Sequence, residues 1–322
     1  VTVAETPAGL LSPEAARPAP SFRLLRRLLR RPVAVAALCV IVVVYGAGVL
    51  APWIAPYDFN YADFDSLFAG PSSEHLLGTD RLGRDVLSRL IWSAQTTVIV
   101  SVATVFMGGL ILGVTLGLVA GYAGGAVDNI IMRIGDAVAS VPTILLLLII
   151  NMTLAEPFQD LFRDIEDLTG IHGMVRAGID DYFLVFGALS LFSWVGMARL
   201  VRSQVLALRE TDYVFAARAM GGSTPRILLR HLLPNISNLL IVAATLTLGS
   251  VAAAEVALSF LGIGVHSPHA SFGVMIADYA GVSNIRNHFT LVLYPAVVVS
   301  ALMLAFNLLG DVLTDVTSPR RR

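Results

Sequence analysis

Lysine is missing from this chain: all 22 basic residues are arginine. A phosphate-binding P-loop sets a lysine against the β- and γ-phosphates, so no such nucleotide site is encoded here. Cysteine is nearly missing too. Cys39 stands alone among 322 residues, which excludes an intrachain disulfide and any multi-cysteine metal centre. Charge of either sign is scarce, at 14% of the chain against about 25% in a soluble domain. Enzyme signatures are also wanting: there is no G-x-S-x-G, no H-E-x-x-H and no pair of intramembrane aspartates. The six histidines show no metal-ligand spacing, and no catalytic or metal site is expected.

What the sequence has instead is apolar residues, 56% of the total, gathered into long uncharged runs. Such runs cross a hydrocarbon core of about 30 Å when they reach about 20 residues. The expectation is an all-α polytopic membrane protein with six spans, near 33–51, 95–120, 129–154, 182–200, 235–260 and 290–310. A secretory signal does not account for the first run, which is too long for an h-region and is followed by further apolar segments. Cys39, within that run, reads as lipid-facing or packed filler. Gly108, Gly109, Gly113 and Gly117 in the second span allow close helix packing.

Before the first span lies a tail, residues 1–31. Its first 20 residues are rich in Ala and Pro and without period, as in a disordered segment. The stretch from Phe22 to Arg31 then repeats arginine at helical spacing, as in a basic amphipathic helix on an anionic leaflet. The spans make one transmembrane domain over 32–313, followed by a short tail at 314–322.

The arginines orient the chain. With the N-terminus inside, Arg17, Arg23, Arg26, Arg27, Arg30, Arg31, Arg133, Arg199, Arg202, Arg209, Arg218, Arg226, Arg230 and Arg320 to Arg322 fall inside. Arg81, Arg84, Arg89, Arg163, Arg176 and Arg286 fall outside. The excess satisfies the positive-inside rule, so both termini are expected to be cytoplasmic. The outside loop at 155–181 is acid-rich, with Glu156, Asp160, Asp164, Glu166, Asp167, Asp180 and Asp181, and reads as a solvated face, with a cation site as the alternative. Trp53 and Tyr57 suit an interfacial aromatic belt.

One connection is longer than membrane loops usually are, from about Arg199 to Pro234. Thr211 is placed to cap a helix from Asp212 to Met220 that stops at Gly221-Gly222. Ser223-Thr224-Pro225 then opens another helix, with Pro in its first turn. A small helix across the cytoplasmic mouth is the outcome. Ala216 and Ala217 leave it a low surface on which another protein can sit, and Tyr213 and Phe215 offer aromatic anchors.

The stretch Ala216-Ala217-x-x-x-Gly221, followed after a gap by His231-Leu232-Leu233-Pro234, resembles the signature of binding-protein-dependent ABC import permeases, written EAA-x-x-x-G-x9-I-x-L-P. Phe215 stands where that signature has Glu, a departure often met in the peptide-importer branch. Three further stretches are similar to the C-type permeases of dipeptide, oligopeptide and nickel importers: His75 to Arg89, Leu258 to Gly264 and Phe306 to Asp311. The resemblance implies a type I ABC importer permease fold, with a coupling helix at 212–222 built on Asp212, Tyr213, Phe215, Ala216, Ala217, Gly221 and, beyond it, Pro234. It also implies a second permease chain, separate P-loop ATPase subunits that bind the ATP and Mg²⁺, and an extracytoplasmic substrate-binding protein. The setting is the bacterial cytoplasmic membrane. Peptides are the expected cargo, with nickel or another small solute as the alternative.

Glu255 is the one carboxylate well inside a span. It suits either contact with substrate or a coupling ion, or a hydrogen bond to a neighbouring helix. The first employment belongs to an ion-coupled secondary transporter, the rival class. Asp80 and Asp85, with Arg81 and Arg84, either fix a turn at the outer surface or meet a substrate-delivering protein.

Overall fold

The computed structural model describes residues 27–170, 173, 175 and 178–317. The tail at 1–20, the opening of the basic segment at 22–26 and the C-terminal arginines Arg320 to Arg322 lie outside the described residues. Ten helices of six residues or more organise the described part, with no strand among them. They are α1 (Pro32–Val49), α2 (Val86–Ala123), α3 (Gly125–Ser140), α4 (Thr143–Thr169), α5 (Ile179–Leu208), α6 (Asp212–Ala219), α7 (Thr224–Phe260), α8 (Phe272–Tyr279), α9 (Val282–Asn287) and α10 (Phe289–Thr317). Six of these, α1, α2, α4, α5, α7 and α10, are long and apolar enough to span a membrane.

Local chemistry sets the boundaries, and it moves several of them from their expected places. The second span starts at Val86, not near 95, because the Asp85 carboxylate accepts the Ser88 N–H at 2.7 Å and caps the helix there. It stops at Gly124, whose φ of +65° only glycine adopts readily. The third span was expected at 129–154. Instead Val141, held extended before Pro142, divides that stretch into α3 and α4, since a residue preceding proline avoids the helical region. The spanning helix therefore begins at Thr143 and runs on through the acidic residues to Thr169, so much of the expected outside loop is helical. Glu156, Asp160, Asp164 and Asp167 are on its exposed face, and Asp180 is buried at the start of α5. The fourth span, expected at 182–200, has 30 residues. It carries Arg199 and Arg202 into its last turns, which trims the connection to α7.

The seam between α2 and α5 is a close backbone approach. A β-carbon added at Gly117 would lie 2.7 Å from both the Ala198 carbonyl oxygen and the Val201 Cβ. One at Gly113 would lie 2.7 Å from the Met197 Cβ, and one at Gly121 2.8 Å from the Val205 Cβ. Residues 105–113 of α2 wind as a π-helix along this seam. In lipid, where apolar side chains gain nothing from leaving water, such backbone contact is what holds helices together. Gly48 brings α1 equally close to Ala94 of α2. Cys39 is exposed on α1.

At the α2–α3 end, the Arg202 guanidinium grips the Asp128 carboxylate through two nitrogens, and Arg199 meets Asp136 at 2.6 Å. Both acids are on α3 and both arginines on α5, so the amphipathic α3 is moored beside the bundle by its polar stripe.

Candidate functional site

Between α5 and α7 the chain builds the short helix α6. Thr211 occupies its N-cap position, but the hydroxyl makes no capping bond. It donates instead to the Leu208 carbonyl at 2.6 Å, tying the turn back to α5. At the other end the Gly221 N–H bonds to the Arg218 carbonyl and the Gly222 N–H to the Ala217 carbonyl, both at 2.9 Å. That pairing is a Schellman stop, and it requires the left-handed φ of +75° at Gly221. Thr224 and Pro225 then start α7.

The two faces of α6 differ. Val214 and Ala217 are buried, packed with Ile227 and Leu232 of α7, Val201 and Val205 of α5, and Val114 and Leu118 of α2. Asp212, Tyr213, Phe215, Ala216 and Met220 are exposed. The expectation that Ala216 and Ala217 form one low docking surface is therefore corrected: successive helical residues point about 100° apart, and Ala217 belongs to the chain's own core. Gly221 is exposed at the end of the helix. Pro234 is exposed on α7, and its neighbour Asn235 donates its side-chain N–H to the Tyr213 hydroxyl at 3.0 Å.

Sequence reasoning passed over Val214, Arg218, Tyr122 and Arg209. Arg218 projects from α6 across the Tyr122 ring, 4.8 Å from its centroid, and its Nε donates to the Tyr122 hydroxyl at 3.2 Å. With Arg209, Glu210 and Phe215 these residues line an open groove beside α6. Arg209 also donates to the Gly121 carbonyl at 3.1 Å, closing the end of α2. The available signal was Tyr122 just before the Gly124-Gly125 break, where the second span had to end.

The opposite end of the bundle is held by two polar clusters. In the loop preceding α2, Asp80 accepts from the backbone N–H groups of Leu82 and Arg84, from Arg84 Nε at 2.7 Å and from Arg89 at 2.9 Å. Burial alone would raise the Asp80 carboxyl. The Arg84 guanidinium, the two amides and the Arg89 charge overcome this and hold it below its ordinary value. Asp278 of α8 completes the cluster, 3.5 Å from Arg81 and Arg84 and 3.8 Å from Arg89. His75 meets Asp85 at 3.0 Å. Asp80, Arg84, Asp85 and Arg89 are all at most 3% exposed. Of the two readings open for Asp80 and Asp85, the geometry is that of a fixed turn.

Glu255 heads the second cluster, without any exposed surface. Its Oε1 accepts from the hydroxyls of Ser259 at 3.0 Å and Ser271 at 2.8 Å, and its Oε2 from Thr97 at 2.9 Å. Among the described residues no group of three metal-ligating side chains comes together. Near the start of α5, His266 lies 3.4 Å from Asp181, and the hydrogen bond raises its pKa above the usual imidazole value. His269 is shifted down by burial.

Comparison with known proteins agrees with this architecture. The model for the binding-protein-dependent transport system inner membrane component matches residues 113–322, and that for the N-terminal TM domain of oligopeptide transport permease C matches residues 21–71. A dipeptide transport system permease protein of Bacillus subtilis (strain 168) is 37% identical over 298 residues, covering 92% of this chain and 85% of the relative. A glutathione transport system permease protein of Pectobacterium atrosepticum is 34% identical over 296 residues, 92% of this chain and 89% of the relative. An oligopeptide transport system permease protein of Bacillus subtilis (strain 168) is 31% identical over 290 residues, 90% of this chain and 86% of the relative. With a long match to the family and relatives that run nearly its full length, the chain belongs to the binding-protein-dependent inner membrane components, the multi-pass permease subunits of ABC importers.

Proposed function

We propose that this chain forms, with a second permease, the path by which peptides cross a bacterial cytoplasmic membrane, and that separate P-loop ATPase subunits drive it. Peptide is favoured as cargo because the relatives carry dipeptides, oligopeptides and glutathione in their names. ATP and Mg²⁺ are bound by the ATPase partners and none by this chain, which has no lysine for a P-loop. An extracytoplasmic binding protein delivers the substrate. Both termini face the cytoplasm, with α6 on that side and the Asp80 cluster outside, following the arginine distribution.

The observation that carries this reading is the one-sided burial of α6. Its inward face shares one apolar cluster with α2, α5 and α7, while Tyr213 and Phe215 stand 39% and 51% exposed. A helix so built can take load from a partner on one face and pass it to the spans on the other. ATP binding draws two ATPase subunits together, α6 follows, and the cavity turns from outside to inside.

The test is a pull-down of the tagged chain in mild detergent, assayed for ATP hydrolysis. Recovery of a P-loop ATPase, lost when residues 212–222 are replaced by a Gly/Ser linker, is the expected result. Recovery of the chain alone, with uptake driven by a pH or sodium gradient, would overturn the reading.

A further inference from the structure

The short helix α8 is held at both ends by buried polar groups that play no part in the coupling scheme. Its N-cap is Ser271, whose hydroxyl accepts the Gly273 N–H at 3.1 Å while donating to Glu255. Ser259, the second donor to Glu255, accepts the Val265 N–H at 3.2 Å. Thr97, the third, belongs to α2. One carboxyl group thus joins α2, α7 and the entry to α8. At its far end α8 presents Asp278 to Arg81, Arg84 and Arg89, and the Tyr279 hydroxyl accepts the Arg81 N–H at 3.4 Å.

The body of α8 is fixed as firmly. Phe272, Val274, Met275 and Tyr279 are buried, and Phe272, Met275 and Tyr279 pack with Val86 and Leu90 of α2, Val256 of α7 and Leu291 of α10. A β-carbon at Gly273 would come 2.7 Å from the Phe260 nitrogen, so α8 lies directly against the α7 backbone.

The surroundings of Glu255 bear on what it does. A carboxyl that exchanges a coupling ion needs a route to water, and this one has no exposed surface. All three of its donors are neutral hydroxyls from separate segments, as suits a group that fixes geometry. We propose that α8 is a brace, pinned by Glu255 through its capping serine and by Asp278 through the arginine cluster. It locks the outer parts of α2, α7 and α10 into one moving body, and Glu255 is its positioning residue during transport. This rests on the importer reading for its consequence but not for its structure.

Glutamine separates the two employments of Glu255. Its carbonyl accepts from Ser259 and Ser271, and its amide donates to Thr97 once that hydroxyl turns away. Glu255→Gln therefore keeps the brace and loses the ionisable group, whereas Glu255→Ala loses both. The first measurement is amide exchange over residues 272–279 in the purified chain. Exchange should rise about tenfold or more in Glu255→Ala, stay within about twofold in Glu255→Gln, and remain unchanged in the middle of α5 in both. In the assembled transporter, Glu255→Ala and Asp278→Ala should each lose uptake and binding-protein stimulation of ATP hydrolysis while keeping basal hydrolysis. The double variant should be no worse than the poorer single one. Unchanged exchange in Glu255→Ala, or a Glu255→Gln as impaired as Glu255→Ala, would sink the brace. Failure of any ATPase to copurify with the unsubstituted chain would sink the importer reading and leave the exchange data to decide on α8.

Discussion

Arg202 of α5 and Asp128 of α3 meet side by side, two guanidinium nitrogens against two carboxylate oxygens, across 74 positions of sequence. The pair fixes the angle at which α3 leaves the end of α2. Arg202 is about one-third exposed and Asp128 is mostly covered, so the pair lies between a surface bridge and a buried one. Asp128→Asn should destabilise the purified protein by about 1–2 kcal/mol, read as a lower unfolding midpoint in detergent. The exchange Asp128→Arg with Arg202→Asp should recover part of it, and no recovery would mean the pair is incidental.

Gly117 and Val201 make a sharper case. At 2.7 Å there is no space for a β-carbon, and the neighbours include the Ala198 backbone, which cannot step aside. Gly117→Val should separate α2 from α5 at a cost of about 3 kcal/mol or more. Gly109 is the control on the same helix: its nearest neighbour would be the flexible end of Met197 at 3.8 Å, so Gly109→Ala should leave the midpoint nearly unchanged. Equal effects at the two positions would contradict the described seam.

The faces of α6 predict opposite phenotypes for adjacent residues. Ala216→Glu adds charge to the exposed face and should leave folding intact while weakening copurification of the ATPase. Ala217→Glu forces a carboxylate into the cluster of Val214, Ile227 and Leu232, and should lower the yield of folded chain itself. Gly221→Ala, strained at φ +75°, should cost about 1 kcal/mol. Thermal stability and copurification, measured on the same preparations, distinguish the three.

His266 supplies a pH dependence. Its hydrogen bond to Asp181 raises its pKa, with partial burial opposing and the Asp181 and Asp180 charges assisting. A raised value means the folded state holds the proton more tightly than the unfolded one. The contact between loop 261–271 and α5 is then fully present below the ordinary histidine value near ~6.5 and is lost as pH rises through the raised value. His269, shifted down by burial, does not add to this. The unfolding midpoint should fall between mildly acidic and alkaline pH, and His266→Gln should flatten that part of the profile.

Much of this architecture was legible in the residues. The six apolar runs announce six spans, and the stretch from Thr211 to Pro225 holds a glycine stop and a following Pro at a helix entry, though the capping bond expected of Thr211 is not made. What escaped was set by tertiary contact. The hydropathy of 129–154 is continuous, and only the conformational demand of Pro142 on Val141 divides it. Asp128 and Asp136 look like ordinary interfacial charges until Arg202 and Arg199 come round from another helix. The turn of Ala217 into the core, beside an exposed Ala216, follows from where α7 lies and is invisible in an Ala-Ala pair. Glu255 showed by its type that it needed partners, but Ser271 and Thr97 are 16 and 158 positions away.

The division of α6 into a face the chain keeps and a face it offers has an evolutionary consequence. Val214 and Ala217 are bound to the chain's own fold, so substitutions there are screened by stability. Phe215, Ala216 and Met220, all exposed, carry little of that burden. On the docking role proposed for α6, the outward residues can change with little effect on folding, and a duplicated permease could drift toward a different ATPase while its membrane core stays as it was. Phe215, which departs from the glutamate of the signature this segment resembles, is where such drift would first be visible.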